Sequence, residues 1–216
     1  MSTLRLLFLL LLTTTSTCLH GQGDTIFRPS ARLGFDMYGF ARRFFEPENR
    51  ALEFSADWEW RKNWFLALEG GGMAVDIEKE THSYEAGGWF FRFGADYNFL
   101  QRPDPVHQDL VIALIRYGFG SLDHQAPGIR VSNPYWGDYL TEIPSERFLA
   151  HWLELGGGLK TRIGGHLFMG WTIRARFLIS QSQESLISPY TISGFGRHSR
   201  NTSVGIHYFL YYKIPF

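Results

Sequence analysis

The stretch NTSVGIHYFLYYKIPF, residues 201–216, alternates apolar and other side chains along almost its whole length. Successive side chains of a β-strand point to opposite faces, so this period of two predicts a strand with one apolar face. The apolar face carries Val204, Ile206, Tyr208, Leu210, Tyr212, Ile214 and Phe216, and the opposite face carries Ser203, Gly205, His207, Tyr211 and Lys213.

The same period recurs in seven further segments. The predicted strands are Ala31–Phe40, Ala51–Trp60, Trp64–Gly72, Trp89–Phe99, Leu110–Gly120, His151–Thr161, Leu167–Ser180 and Asn201–Phe216. Their charged residues lie opposite the apolar face: Arg32, Asp36, Glu53, Asp57, Glu59, Glu69, Arg92, Asp96, Arg116, Glu154, Lys160, Arg174, Arg176 and Lys213. Acids and bases are equal in number, which favours a paired network over a solvated face, because buried charges need partners.

Composition excludes several classes of protein. The 216 residues are 44% hydrophobic and 17% aromatic, which is too apolar for a disordered chain. The 21 basic and 21 acidic residues leave no net charge, so the electrostatic footprint of nucleic-acid binding is missing. A mean hydropathy of -0.16 argues against a bundle of membrane-spanning helices.

The first 23 residues have the order of a secretory signal peptide. Arg5 precedes the apolar run Leu6–Leu12, and small residues follow at Gly21 and Gly23. We expect cleavage after Gly21 or Gly23, which leaves residues 24–216 as a single barrel domain without a thiol. The alternative is a lipoprotein acylated at Cys18.

Glycines help to decide which face points inward. The charged face of the predicted strands carries Gly34, Gly71, Gly94, Gly118, Gly156, Gly158, Gly170 and Gly205, whereas the apolar face carries only Gly70 and Gly157. The interior of an eight-stranded barrel is just wide enough to be filled by side chains, so glycines there would leave room for the arginines. The distribution predicts a charged interior and an apolar outer surface, as in a membrane barrel.

Short and long connections are expected at opposite ends of the barrel. The short ones are residues 61–63, about ten residues containing Pro103 and Pro105, and the residues around 164–166; the long ones are residues 46–49, 73–88, 121–150 and 181–200. This asymmetry is typical of outer-membrane barrels. Trp58, Trp60 and Trp64 flank the first short turn, where an interfacial aromatic belt would lie.

The end of the last strand predicts how the barrel is inserted. Tyr212, Ile214 and Phe216 complete its apolar ladder. Barrel proteins recognised by the outer-membrane insertion machinery typically end in this way, so we expect that machinery and outer-membrane lipid as partners.

Several stretches resemble a family of small, uncharacterised bacterial outer-membrane barrels that is catalogued as a domain of unknown function. They are residues 133–138 (NPYWGD), 151–160 (HWLELGGGLK), 193–197 (SGFGR) and 204–208 (VGIHY) through the closing 215–216 (PF). The resemblance covers nearly all of the predicted mature chain in the expected order. It implies an outer-membrane barrel without an assigned activity, so no catalytic residue is carried over.

Candidate catalytic and metal-binding groups are sparse. The eight histidines form no His-x-His or His-Glu-x-x-His motif, so we expect no metal and no cofactor. His151 and Glu154 are three residues apart, hence on opposite strand faces, which favours structural roles. His198 and Ser199 lie near the predicted outer rim and carry the alternative of a lipid-modifying enzyme, although no acid is placed to orient the imidazole.

The third long connection is the most informative predicted surface. It concentrates Tyr135, Trp136 and Tyr139 beside Pro134 and Gly137. Loops of this length inside a compact fold are usually functional or disordered, and aromatic residues are enriched in contacts. Two interpretations stay open: the aromatic side chains fold back over the barrel mouth, or they contact a partner.

Together these patterns predict an all-β, eight-stranded antiparallel up-and-down barrel in a bacterial outer membrane. Its lumen is filled and closed by the charged network, because eight strands leave little space. We expect a structural or accessory envelope subunit that binds a partner through its outer loops. The alternatives are the lipid-modifying enzyme and a narrow channel.

Overall fold

The structure is a computed structural model that describes residues 29–46, 48–79, 82–100, 108–133, 135, 137–182, 191–197 and 200–215. The side chains of residues 79, 82, 128–133, 138–143 and 197 are not among those described. The predicted signal peptide at residues 1–23 lies outside the described residues, and so do Cys18, Trp136, His198, Ser199 and Phe216.

The described residues form one closed barrel. The elements are β1 (Ala31–Asp36), α1 (Met37–Phe45), β2 (Asn49–Arg61), β3 (Trp64–Lys79), β4 (His82–Asn98), β5 (Leu110–Asn133), β6 (Gly137–Gly164), β7 (Leu167–Gln181), β8 (Thr191–Ile192), β9 (Gly196–Arg197) and β10 (Thr202–Ile214). The barrel order is β1-β10-β7-β6-β5-β4-β3-β2, with antiparallel pairs throughout, and β8 and β9 form a separate small ribbon. The predicted eight-stranded antiparallel barrel is confirmed.

The two ends of the barrel differ in their connections. At one end, which we call the turn end, β2 joins β3 through Lys62 and Asn63, and β6 joins β7 through Gly165 and His166. Asn63 and Gly165 have φ angles of 67° and 49°, which Asn and Gly tolerate best. The opposite end, which we call the hairpin end, carries α1, the β8–β9 ribbon and two long hairpins.

Burial alternates along the strands with the predicted register. In β3, Trp64, Leu66 and Leu68 are exposed on the outer surface, whereas Phe65 and Glu69 are buried inside the barrel. The exposed outward side chains of the other strands continue this apolar belt: Leu33, Leu52, Phe54, Trp58, Trp60, Trp89, Phe93, Val111, Ile115, Leu149, Leu155, Leu167, Trp171, Ile173, Phe177, Ile179, Val204, Ile206, Tyr208 and Tyr212.

Aromatic side chains border the belt at both ends. At the turn end, the Trp64 ring packs on Tyr97 with centroids 4.9 Å apart, and Tyr97 packs on Phe99 at 5.0 Å. Toward the hairpin end, Phe119 contacts Trp89 at 5.8 Å and His151 at 6.4 Å. Two aromatic girdles flanking an apolar band are typical of transmembrane barrels.

The first strand is shorter than its sequence pattern predicts. A strand is expected over Ala31–Phe40, but β1 ends at Asp36 and the chain continues as α1. The Asp36 carboxylate accepts hydrogen bonds from the backbone N–H groups of Tyr38 (3.1 Å) and Gly39 (2.9 Å), so it caps the new helix. The spacing of apolar residues in the sequence also changes here, from every second residue to every fourth.

None of the helices in the described part of the chain has the length and apolar character needed to span a membrane.

Two predicted loops are largely β-structure. The sequence pattern predicts connections at residues 73–88 and 121–150, but β3 and β4 stay paired to Lys79 and His82. β5 and β6 stay paired to Asn133 and Gly137, with register shifts near Ala126. In these hairpins the side chains still alternate, but the apolar ones point inward and the polar ones outward. Strands predicted from one continuous apolar face therefore end too early.

The hairpins have an apolar inner face and a polar outer face. Val75, Ala86, Leu122 and Phe148 are buried in one cluster. The residues beside them in the chain are exposed and charged: Asp76, Glu85, Asp123 and Arg147. Arg147 donates to Asp123 at 2.9 Å, and this hydrogen bond raises the pKa of the Arg147 guanidinium above its usual value. The hairpin region therefore has the polarity of a water-soluble protein.

Candidate functional site

Glu69 is the centre of a buried ion-pair network inside the barrel. It projects from β3 and accepts hydrogen bonds from Arg174 on β7 at 2.5 and 3.0 Å. Arg92 on β4 donates to it at 2.8 Å, and Arg116 on β5 at 3.4 Å. Because β3 and β7 lie on opposite sides of the closed barrel, the Glu69–Arg174 pair crosses the lumen.

Two further glutamates complete this tier of the network. Glu53 on β2 receives hydrogen bonds from Arg92 at 2.6 and 3.3 Å. Glu154 on β6 forms ion pairs with Arg92 at 3.0 Å, Arg174 at 3.3 Å and Arg176 at 3.4 Å. The three glutamates are thus shared among arginines from three strands, and all of these side chains are buried.

A second tier lies nearer the turn end. Asp57 accepts from Arg32 and from Lys160, each at 2.8 Å. Asp96 pairs with Lys160 at 3.2 Å and with Arg116 at 2.5 Å. Since Arg116 also donates to Glu69, it links the two tiers into one continuous network.

Three predicted members of the charged face have different surroundings. Asp36 is buried and caps α1 rather than forming one of the ion pairs above. Glu59 is buried and accepts from the Ser30 hydroxyl at 3.1 Å. Lys213 is half-buried at the turn end, where it donates to Gln108 at 2.9 Å.

The interior network depends on mutual neutralisation. A buried ionised group is costly in a medium of low dielectric constant unless an opposite charge and hydrogen bonds compensate it. Removing one partner of such a pair usually costs about 3–5 kcal/mol, because the other charge stays buried. Each charge of the network therefore depends on its partners for stability.

The β8–β9 ribbon packs inside the barrel on the hairpin side of the charged tiers. Ile192, Ser193 and Phe195 are buried, and the Phe195 ring contacts Trp152 with centroids 6.0 Å apart. Arg92 donates to the Gly194 carbonyl at 3.3 Å, and Arg176 donates to the Phe195 carbonyl at 2.8 Å. We call residues 191–197 the plug. It packs on the charged network from the hairpin end.

The alternation of side chains did not predict the plug. Its sequence, Ser193-Gly194-Phe195-Gly196-Arg197, contributes to the family resemblance but has no period of two. Gly194 and Gly196 have φ angles of 78° and 102°, a region that favours glycine. The paired glycines around a single aromatic residue were the available signal for a tight, inward-folded turn.

Inward glycines make room for large side chains, mostly aromatic ones. A Cβ atom on Gly118 would overlap the Trp152 indole, and one on Gly34 would overlap the Tyr211 ring. At Gly205 the neighbouring large group is an arginine, Arg176, and a Cβ atom on Gly156 would lie 3.2 Å from the Arg174 side chain. The expectation that these glycines make room for arginines is therefore correct for Gly205 and Gly156 and wrong for Gly118 and Gly34.

The predicted outer-rim residues are only partly described. Tyr135 is 92% exposed at the tip of the β5–β6 hairpin. Tyr139 lies in β6, where its backbone pairs with Val131. At the other end, Tyr212 is exposed in the belt and Ile214 is half-buried.

His151 and Glu154 project from opposite faces of β6. The His151 ring contacts Tyr117 on the outer surface with centroids 6.2 Å apart, whereas Glu154 is buried in the network. Within the described part of the chain, no three His, Cys, Asp or Glu side chains are grouped closely enough to hold a metal ion.

An open acidic cleft lies between the long hairpins. Its volume is about 380 Å³. Asp76, Glu85 and Asp123 line it together with the buried His124. Gln125 donates to Glu85 at 2.6 Å across the cleft wall. The cleft is at the hairpin end, beyond the apolar belt.

Comparison with known proteins gives a family and a set of distant structures. The sequence profile of a family described as Domain of unknown function (DUF6048) matches residues 1–216. The comparison with curated proteins finds no match.

Three solved structures illustrate the structural likeness. Ail, the attachment invasion locus protein of Yersinia pestis, is 10% identical with a TM-score of 0.44, over 86% of this chain and 97% of that one. A major outer membrane protein from Thermus thermophilus is 11% identical with a TM-score of 0.49, over 86% and 98%. Neisserial surface protein A is 8% identical with a TM-score of 0.40, over 87% and 96%. At such identities the function has to be inferred from this chain's own side chains.

Proposed function

The chain belongs to the DUF6048 family of domains of unknown function, and we propose that it is a non-conducting barrel of the bacterial outer membrane whose hairpin end binds another envelope component. The observation that carries this proposal is the reversal of polarity along the strands. In the belt the outer surface is apolar and the interior is charged, whereas in the hairpins the inner face is apolar and the outer face is charged.

The reversal matches the two solvents of a protein that emerges from a membrane. An outer surface of Leu, Ile, Val and aromatic residues is stable against lipid, and charged outer residues are stable in water. Along β7, outward apolar residues extend from Leu167 to Ile179. The twelve steps between these two residues, at about 3.3 Å each and tilted by about 40°, span roughly 30 Å, close to the hydrocarbon thickness of a bilayer.

The contents of the lumen support a barrel that does not conduct. Eight strands enclose a space that side chains can fill. Here the charged tiers bridge opposite walls, as in the Glu69–Arg174 pair, and the plug covers them with the buried Phe195. An ion entering from the hairpin end would have to displace both layers.

The hairpin end supports a binding role. The β5–β6 hairpin extends to Asn133 and Gly137, beyond the apolar belt, and presents Tyr135 at its tip. The acidic cleft lies at the base of the same hairpins. An exposed aromatic residue and a polar concave surface are typical parts of a protein interface. The partner is an envelope protein or a surface ligand reached from outside.

The proposal includes contacts made during biogenesis. Tyr212 is outward and exposed on β10, next to the turn end. With Ile214 and Phe216 it would form the aromatic and aliphatic ladder that the outer-membrane insertion machinery reads. Outer-membrane lipid would then surround the belt.

Two measurements test the closed lumen. In planar bilayers, the wild-type protein is expected to give no ion conductance. The second measurement uses a variant that lacks the plug because a flexible linker replaces residues 191–197. Its ion conductance is compared with that of the wild-type protein. Stable conductance of the wild-type barrel would contradict the proposal.

Affinity purification tests the binding role. Tagged protein from detergent-solubilised outer membranes is expected to retain a stoichiometric envelope component. A shortened variant keeps the Ala126–Ile143 pair and replaces residues 127–142 by an Asn-Gly turn, and it should lose that component while keeping heat-resistant folding. Recovery of the barrel alone, or equal recovery of the component with the shortened variant, would contradict the role assigned to the hairpin.

A further inference from the structure

The helix α1 exposes its apolar face instead of burying it. Phe40 and Phe44 lie one turn apart on one side of the helix, and Gly39 and Arg43 lie about 100° further around the helix axis. Gly39 is buried against the barrel, whereas Phe44 and Phe45 are 72% and 85% exposed. A surface helix of a water-soluble protein normally turns its apolar side to the core, so this orientation is reversed.

The helix occupies a place in the barrel wall. Pairing of β1 with β10 ends at Asp36, opposite Phe209, and α1 begins at the next residue. It contacts both β2 and β10. On β10, Val204 and Ile206 lie beyond the last residue paired with β1 and are exposed in the apolar belt. The helix therefore lies beside apolar strand residues rather than above them.

The apolar face of α1 continues the belt through a row of rings. Phe54 on β2 contacts Phe35 on β1 with centroids 5.4 Å apart. Phe35 contacts Phe40 at 5.7 Å, and Phe40 contacts Phe44 at 5.5 Å. The row runs without a polar side chain from the belt onto the helix, so the helix and the belt share one apolar environment.

The attachment of α1 holds this orientation. Asp36 caps its first turn, and a Cβ atom on Gly39 would lie 2.6 Å from the Asp36 carboxylate and 3.3 Å from the Ala51 carbonyl. A side chain at this position would press on the carboxylate that caps the helix and would fit tightly against β2. Gly39 therefore marks the side of the helix that packs on the barrel, and Phe44 and Phe45 stay exposed.

Basic residues lie on the polar side of the same helix. Arg42 pairs with Glu46 at 2.6 Å one turn later, whereas Arg43 is exposed beside Phe44. Interfacial helices combine such an apolar face with basic residues that meet lipid phosphates. An arginine guanidinium forms strong, charge-assisted hydrogen bonds with phosphate.

We propose that α1 is a lipid-binding helix embedded in the outer-leaflet interface, with Phe40 and Phe44 in the acyl-chain boundary and Arg43 on an anionic lipid phosphate. This inference rests on the proposed membrane location of the barrel. The ligand class is a phosphate-bearing membrane lipid. The acyl chains of this lipid would contact the continuous apolar surface of helix and belt, and its phosphate would contact the positive charge at the edge of that surface.

Spin labels at single cysteines test the depth of the helix. In the full chain with Cys18→Ser, labels are placed at Phe44→Cys, at Leu66→Cys in the belt and at Tyr135→Cys at the hairpin tip. In lipid vesicles, the label at position 44 should collide with oxygen and be protected from a water-soluble nickel chelate, as at position 66. The label at position 135 should show the reverse.

The two control positions separate the failure of this inference from that of the proposed function. If position 44 behaves like position 135 while position 66 is lipid-exposed, the helix proposal is overturned and the membrane barrel stands. If position 66 is also exposed to the nickel chelate, the membrane location itself is wrong, and the helix proposal fails with it.

Lipid composition tests the phosphate contact. The label at position 44 is measured in vesicles of phosphatidylcholine alone and in vesicles that also contain phosphatidylglycerol. It should be better protected from the nickel chelate in the second, anionic membrane. Arg43→Glu should abolish this difference, and Arg147→Glu on the hairpin should preserve it. An unchanged difference in Arg43→Glu, or its loss in both variants, would overturn the role of Arg43.

Discussion

The belt region and the hairpin region are built from the same strands but with opposite polarity. On β3, Leu68 faces outward and Glu69 inward in the belt, whereas six residues further Ala74 faces outward and Val75 inward. The geometry of the strand is the same at both levels. The two levels differ in the medium outside the barrel, and therefore in which side chains are stable on the outer and inner faces.

The comparison shows two ways of filling the same barrel. In the belt region, charged tiers centred on Glu69 and Asp57 fill the interior through shared ion pairs. In the hairpin region, Leu122, Phe148 and Trp152 fill it by apolar packing with the plug. Ion pairs require a complete set of partners, while apolar packing requires matching volumes, so the two regions should respond differently to substitution.

The largest expected effect is at the centre of the charged tier. Glu69→Ala leaves the guanidinium groups of Arg92, Arg116 and Arg174 without their shared acceptor. We expect the free energy of unfolding to fall by about 3–5 kcal/mol, measured by urea unfolding in lipid vesicles. Asp123→Ala, which removes an exposed ion pair on the hairpin, should leave the free energy of unfolding almost unchanged. Equal effects would show that the network is not buried.

A charge placed on the outer surface tests the reversal of polarity directly. Leu68→Arg puts a guanidinium in the middle of the apolar belt and should lower the free energy of unfolding in vesicles by about 2–4 kcal/mol. The matched control, Ala74→Arg, lies on the same strand and the same face but in the hairpin region, where we expect almost no change. A similar cost at both positions would contradict a lipid boundary between them.

Steric filling of the interior should have a smaller effect. Gly118→Ala directs a methyl group into the Trp152 indole and should cost about 1–3 kcal/mol through overpacking. Gly70→Ala is the control, because its Cβ atom would meet Phe91 at an ordinary 3.5 Å. Thermal unfolding followed by gel mobility compares the two. If Gly118→Ala were as stable as Gly70→Ala, the interior would have space that the packing does not indicate.

The smallest expected change is a gain in stability. The Ser193 hydroxyl in the plug is buried and has no hydrogen-bond partner among the described residues. Ser193→Ala removes this unsatisfied group and should raise the free energy of unfolding by about 1 kcal/mol. Ile192→Val, a loss of one buried methyl group beside it, should instead lower it by about 0.5–1.5 kcal/mol. A loss of stability in Ser193→Ala would reveal a partner for the hydroxyl.

Strand registers in the belt were predictable because they are a local property. Each strand alternates within itself, so Trp58 and Asp57 are assigned to opposite faces without knowing what they touch. The same local rule failed where the phase of the pattern changed. In β3 the apolar residues lie on the outer face at Leu66 and Leu68 but on the inner face at Val75. A prediction based on one apolar face therefore ends the strand too early.

Helix α1 shows why an alternating segment is not always a strand. Residues 31–40 alternate well enough to predict one strand, yet Asp36 caps a helix within it. Gly39 then packs closely against Ala51 of β2, a contact between two different elements. Local periodicity carries no information about such a fit.

By itself the sequence determined the class of fold, the number of strands in the barrel and the face on which each belt residue lies, because alternation and turn chemistry act over a few residues. Only the tertiary structure decided the partners of the charges, since Arg174 and Glu69 are 105 residues apart and meet only when the barrel closes. It also decided the inward path of the plug. Ion pairs and packing across the lumen form only when the barrel closes, and local sequence patterns do not indicate which residues then meet.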